Sequence, residues 1–145
     1  MAEVVSPNGH PTPVPVVQPE VKVWWDATAQ GKLILPTCSA CATLIWWPRP
    51  FCPSCGSLEI DWSKEASGKG TIYSYTVNRR GAGDLPEYRE PNPYVLAYVE
   101  LAEGPRIMTN IVDCDVESVK IGQAVELVFH DTGEGTALAR FRPAK

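Results

Sequence analysis

The sequence predicts a mainly β protein: an N-terminal helix, a rubredoxin-like zinc ribbon and a C-terminal five-stranded barrel of the oligonucleotide/oligosaccharide-binding (OB) type. Three observations carry this. Cys38-Ser-Ala-Cys41 is followed ten residues later by Cys52-Pro-Ser-Cys55. Two such pairs can bring four thiolates round one tetrahedral ion, because each makes a tight knuckle and the segment between them folds back as a hairpin. From about Gly68 onward, five short β-rich runs are bounded by Gly, Pro, Asn or Asp, the pattern of consecutive strands. Ahead of the ribbon, Val21, Trp24, Trp25 and Thr28 recur at i, i+3, i+4 and i+7, which gathers them on one helical face.

At 145 residues, 44% of them hydrophobic, the chain can form one ordinary domain or two very small ones. A ribbon of about thirty residues cannot bury a core of its own, so a metal would supply its folding free energy, while the remainder sustains a small β core. No apolar run approaches the roughly 18 residues that cross a bilayer, and the N-terminus has no charged segment leading into an apolar one. A soluble, cytoplasmic protein is therefore expected. The net charge of −4, the pI near 5.2 and the scatter of the 13 basic residues weigh against nucleic-acid binding, which needs clustered Lys and Arg. Five cysteines without a secretory signal fit thiolate ligation in a reducing compartment better than a disulfide framework.

Residues 1–19 contain five of the fourteen prolines and one charged side chain, Glu3. Such a segment is expected to be an extended or disordered tail. Residues 20–36 form a docking helix and lead-in strand: the Trp-bearing face runs within Glu20–Gln30, Gly31 is the C-terminal stop, and Lys32-Leu-Ile-Leu35 leads to the first knuckle. So short a helix depends on docking its Trp face. The ribbon spans residues 37–66, with Thr43–Trp47 and Pro48-Arg-Pro-Phe51 as its arm. Gly56 can take the positive φ that aims knuckle N–H groups at sulfur, and Ala42 holds the matching place after Cys41. The barrel spans residues 67–145. Its strands are Thr71–Val77, Tyr94–Leu101, Arg106–Val112, Ala124–Phe129 and Thr136–Phe141, with a single turn capped by Asp115 between the third and fourth. That order matches an OB barrel, an open β sandwich being the alternative.

Taken together, the Trp helix, Gly31-Lys-Leu, Cys38-x-x-Cys41, Pro48-Arg49, Cys52-Pro-x-Cys55-Gly56-Ser57, Ser67-Gly-Lys-Gly-Thr-Ile-Tyr73-Ser-Tyr-Thr, Val99-Glu-Leu and Gly122 before Val125-Glu resemble one family. It is the family of small zinc-ribbon/OB-fold proteins of acyl-CoA metabolism, once a domain of unknown function, and the resemblance covers roughly residues 20 to 145. It implies a non-catalytic subunit beside a thiolase or a thiolase-like lipid-transfer/aldolase protein, required for that partner's stability or action on bulky acyl-CoA thioesters. Steroid side-chain degradation, aromatic degradation and archaeal mevalonate synthesis are settings the family implies. Ala42, where the family commonly has Gly, and the Trp46-Trp47 pair are departures.

A site of four cysteines, Cys38, Cys41, Cys52 and Cys55, leaves no open position, so its ion is expected to be structural. Zinc is favoured over iron, which also suits a thiolate tetrahedron. A catalytic set of this chain's own is hard to assemble: His10 lies in the tail, His130 at a strand end, and Cys114 sits between two aspartates that disfavour its thiolate. The 13-residue connection from Gly81 to Pro93 borders what is the ligand face in OB folds. Arg79, Arg80 and Arg89 are cationic candidates there for CoA phosphates or partner carboxylates. Trp24, Trp25, Trp46 and Trp47 are candidate partner contacts. A hetero-oligomer with a thiolase-like catalytic subunit is the leading reading, with no membrane or nucleic acid expected. An OB/ribbon protein stacking nucleic-acid bases on Tyr73, Tyr75, Tyr94 and Tyr98 is the alternative.

Overall fold

The computed structural model describes residues 1–81, 86–88 and 92–145. The segment expected to be a disordered tail lies against the barrel. Val4–Val5 (β1) pairs in parallel with Phe129 and His130, Ala2 N–H donates to Gly31 O at 2.7 Å, and Arg140 holds the Pro11 carbonyl. Composition hid this, because the anchors are long-range contacts made mostly by the backbone, by ion pairs of Met1 and Glu3 and by a buried arginine, with Ala2 packed against the core.

A 3-10 turn over Pro19–Val21 opens the helix α1 (Lys22–Thr28). Proline suits that first position, where its missing N–H has no intrahelical role. Val21, Trp24 and Thr28 are buried on the predicted face. Gly31, at φ +76, ends the segment, and a Cβ there would lie 2.2 Å from Ala2 O. Both the turn and the passing tail therefore demand glycine. Lys32–Leu35 makes one isolated bridge, Ile34 to Glu65, rather than a full strand. In the ribbon, Thr37–Cys38 (β2) pairs antiparallel with Ile60–Asp61 (β3), and Thr37 also bridges Leu44.

Five longer strands follow: β4 (Lys69–Asn78), β5 (Tyr94–Leu101), β6 (Arg106–Ile111), β7 (Ala124–Asp131) and β8 (Ala137–Pro143). They close in the order β4-β5-β6-β8-β7 and back to β4, all antiparallel except β6 with β8. This is the OB barrel. Asp115 caps the short turn Val116–Ser118 between β6 and β7 by accepting from Glu117 N–H. Ile72, Val95, Val99, Ile107, Val125, Phe129 and Phe141 fill the interior.

The first barrel strand does not alternate evenly between its two faces. A bulge between Ile72 and Ser74 sets Ile72 opposite Val99 but Val77 opposite Val95. One extra residue transfers later side chains to the other face. No helix among the described residues is long and apolar enough to cross a membrane.

Candidate metal centre and the aromatic face beside it

The two knuckles repeat one hydrogen-bond plan. Cys38 N–H donates to Thr43 O and Ala42 N–H to Cys38 O, as Cys52 N–H donates to Ser57 O and Gly56 N–H to Cys52 O, all at 2.8–2.9 Å. The turn needs a left-handed residue after the second cysteine. Gly56 supplies it at φ 75, and Ala42 adopts it at φ 62 despite its Cβ. The departure from glycine at Ala42 thus places a Cβ in the left-handed region.

All four sulfurs lie within 4.8 Å of one another. Cys38–Cys55 and Cys41–Cys52 are each 3.6 Å apart, far beyond a disulfide. Zn–S bonds of about 2.3 Å set tetrahedral edges of roughly 3.8 Å, so the cluster fits such an ion with little adjustment. Cys38 and Cys52 are buried, whereas Cys41 and Cys55 reach the surface. As thiols they compete for protons. The Thr43 hydroxyl and N–H hold Cys41 down to about 6. The Ser57 N–H pulls Cys55 down, but hydrogen bonds with Cys38 and Cys41 outweigh it and push the thiol up to about 12. A metal would replace that competition and release the protons. Ser54 N–H, 3.4 Å from Cys52 Sγ, already points at a ligand sulfur.

The four predicted tryptophans come together. Trp24 stands 4.8 Å from Trp25, 6.1 Å from Trp46 and 4.9 Å from Trp47 between ring centroids. The cluster ties α1 to the ribbon arm and, with Leu96, Met108 and Ala139, walls a cleft of about 220 Å³ against β5, β6 and β8. Trp24, a candidate partner contact in the sequence, packs inside the protein. It is 2% exposed and donates its indole N–H to Ile34 O at 3.0 Å. Trp25 and Trp46 are half-buried, and Trp47 is 47% exposed. Trp47 also borders an open groove with Val21, Arg49 and Phe51, and Arg49 lies over the Phe51 ring.

The arginines separate. Arg79 pairs with Glu117, which neutralises it. Arg80 is exposed at the start of the β4–β5 connection, its backbone N–H bonded to Asn78 Oδ1. Arg89 lies outside the described residues.

Sequence reasoning missed a buried cluster. His130, at the end of β7, is 1% exposed, with Nδ1 2.7 Å from an Arg140 nitrogen and Nε2 without a partner among the described residues. Burial, then Arg140 and His10, hold it down to about 4. His10 faces it at 5.3 Å. Arg140 stands on the face of β8 opposite Phe141, and the tail residues Pro11 and Thr12 cover it there, so the alternation of the strand gave no advance signal. Cys114 behaves as expected, its thiol pushed up by burial and by Asp113 and Asp115.

Residues 25–61 match the family described as "ChsH2, rubredoxin-like zinc ribbon domain", and residues 63–130 match "ChsH2, C-terminal OB-fold domain". A "Probable enoyl-CoA hydratase alpha subunit" of Thermomonospora curvata is 39% identical over 91% of the chain. The chain spans only 40% of that protein's length. A "DUF35 domain-containing scaffold protein" of Methanothermobacter thermautotrophicus is 38% identical over 79% of the chain and 84% of its own. Among solved structures, a chain of an "Ltp2-ChsH2(DUF35) aldolase" superposes with a TM-score of 0.77 at 37% identity, over 91% of this chain and 100% of that one.

Proposed function

The chain belongs to the DUF35 family of ChsH2-type zinc-ribbon and OB-fold proteins, and from that premise we propose that it is a non-catalytic accessory subunit of a thiolase-like acyl-CoA enzyme. The observation that carries this reading is the correspondence with the whole length of a chain in an aldolase assembly. The likeness to part of a probable enoyl-CoA hydratase alpha subunit supports acyl-CoA chemistry for the assembly. Bulky acyl thioesters, such as steroid side-chain or aromatic degradation intermediates, are the substrates of the assembly, and the nucleophile and base lie on the partner.

The ribbon and α1 form the docking side. Trp47 and Phe51 are large apolar side chains left in solvent, and such side chains grouped at one groove suit a protein partner. The barrel positions the CoA thioester, with Arg80, which forms no ion pair among the described residues, as the cation at its mouth. The bound metal supplies rigidity rather than chemistry, since four thiolates leave it no open position.

The test is reconstitution. A tagged full-length chain expressed in its native host brings down a thiolase-sized subunit, and adding it to that subunit restores acyl-CoA turnover. Trp47→Ala weakens the complex by about thirty-fold, the scale of one interfacial tryptophan. Acyl-CoA turnover by the isolated chain, or a catalytic subunit indifferent to its addition, would overturn the proposal.

A further inference from the structure

The stretch Pro13-Val-Pro-Val-Val-Gln18 is tethered at both ends. Upstream, Arg140 binds the Pro11 carbonyl and, at 3.2 Å, the Thr12 hydroxyl. Downstream, Pro19 opens the turn into α1. Its extension is built in, because a residue before proline is kept out of the helical region, and Thr12, Val14 and Gln18 each precede one.

Two extended forms are open to such a chain: polyproline II, with three residues per turn, and a β-strand, with two. Exposure decides between them. Pro13, Pro15 and Val17 are half-buried while Val14, Val16 and Gln18 are exposed, Val14 by 52% and Val16 by 92%. The period is two. In a strand of that period, N–H groups alternate between the two edges in step with the side chains. Prolines at 11, 13 and 15 therefore strip the donors from one edge as far as Val17, the usual way of blunting it. Thr12, Val14 and Val16 keep theirs on the other. Among the described residues, those three N–H groups have no hydrogen-bond acceptor.

We infer that residues 12–16 are a one-edged docking strand that adds to an exposed sheet edge of the catalytic partner. The inference rests on the accessory-subunit reading. A strand edge is the occupant because the feature on offer is a row of backbone donors and acceptors. The segment itself is uncharged, since no Asp, Glu, Lys or Arg occurs between Glu3 and Glu20, and the outward side chains are valines. Pro13 and Pro15 lower the entropy lost on docking, and the blunted edge keeps the strand from pairing on both sides.

The experiment measures affinity between the full-length chain and the catalytic subunit purified with it. Val14→Pro/Val16→Pro keeps the segment extended but removes two donors. It weakens binding by roughly thirty-fold, two net hydrogen bonds' worth, while Pro13→Ala/Pro15→Ala stays within about three-fold because the open edge is intact. Independently of any variant, the Val14 and Val16 amides of the wild-type chain exchange about a hundred-fold more slowly in the complex. Unchanged affinity of the double-proline variant, or unchanged amide exchange, overturns the strand. So does the opposite pattern, in which only the alanine variant suffers, since that marks a polyproline groove. A dimer of the isolated chain that the double-proline variant abolishes makes a second copy the occupant and likewise overturns it. A wild-type chain that binds no such subunit removes the accessory reading as well.

Discussion

The ribbon and the barrel hold their shapes by different means. Around the four sulfurs the ribbon buries little more than Cys38, Ile45 and Cys52, with Ile60 beside them. The barrel closes five strands over a continuous cluster that includes Ile72, Val99, Phe129 and Phe141. One part is conditional on an ion and the other on apolar burial. The barrel exposes Tyr73, Tyr75 and Tyr98, but Trp47 and Phe51 lie on the conditional part, so the surface proposed for docking sits where the fold depends most on the metal. The Trp cluster is the joint between them.

The sharpest way to separate the two regions is to remove the metal. Structural zinc contributes on the order of 10 kcal/mol in ribbon-sized units. Chelation, or Cys52→Ser, should therefore unfold residues 37–62 and red-shift tryptophan emission, while β-sheet circular dichroism persists. Loss of both signals together would make the barrel dependent on the ribbon. The reverse perturbation is Phe141→Ala, which empties a fully buried barrel site and should cost about 3–5 kcal/mol in chemical denaturation.

Acid tests the barrel's seam. The folded His130 sits near 4, below its ordinary 6.5. Its contribution is thus complete above about pH 6.5 and is lost progressively as the pH falls toward 4, on the order of 3 kcal/mol in all. His130→Asn should flatten that part of the stability profile. The smallest effect is expected at the knuckle. Ala42→Gly relieves the left-handed Cβ and should raise the ribbon's stability by up to about 1 kcal/mol, read as a higher chelator concentration for half release.

Much of this was legible in the chain. The cysteine spacing, the Trp24/Trp25 helix, the boundaries of Tyr94–Leu101 and the Asp115 cap all arise from local chemistry, and local chemistry is written in consecutive residues. What failed was long-range or parity-dependent. The single extra residue near Tyr73 reverses a face, and no composition signal marks it. The tail's attachment depends on Arg140, more than a hundred positions away. Arg79 read as a free cation because its partner, Glu117, lies across the barrel's end. At the site, the metal ligands were readable from spacing, whereas the division of the tryptophans into buried Trp24 and exposed Trp47 required the packed structure.

The central claim is that the metal-held ribbon carries the docking surface and the barrel does not need it to fold. The direct measurement is affinity for the catalytic subunit during stepwise zinc removal, with barrel circular dichroism recorded on the same samples. The account predicts that binding falls in proportion to bound zinc while the barrel signal stays constant. Undiminished binding by the zinc-free chain would contradict it.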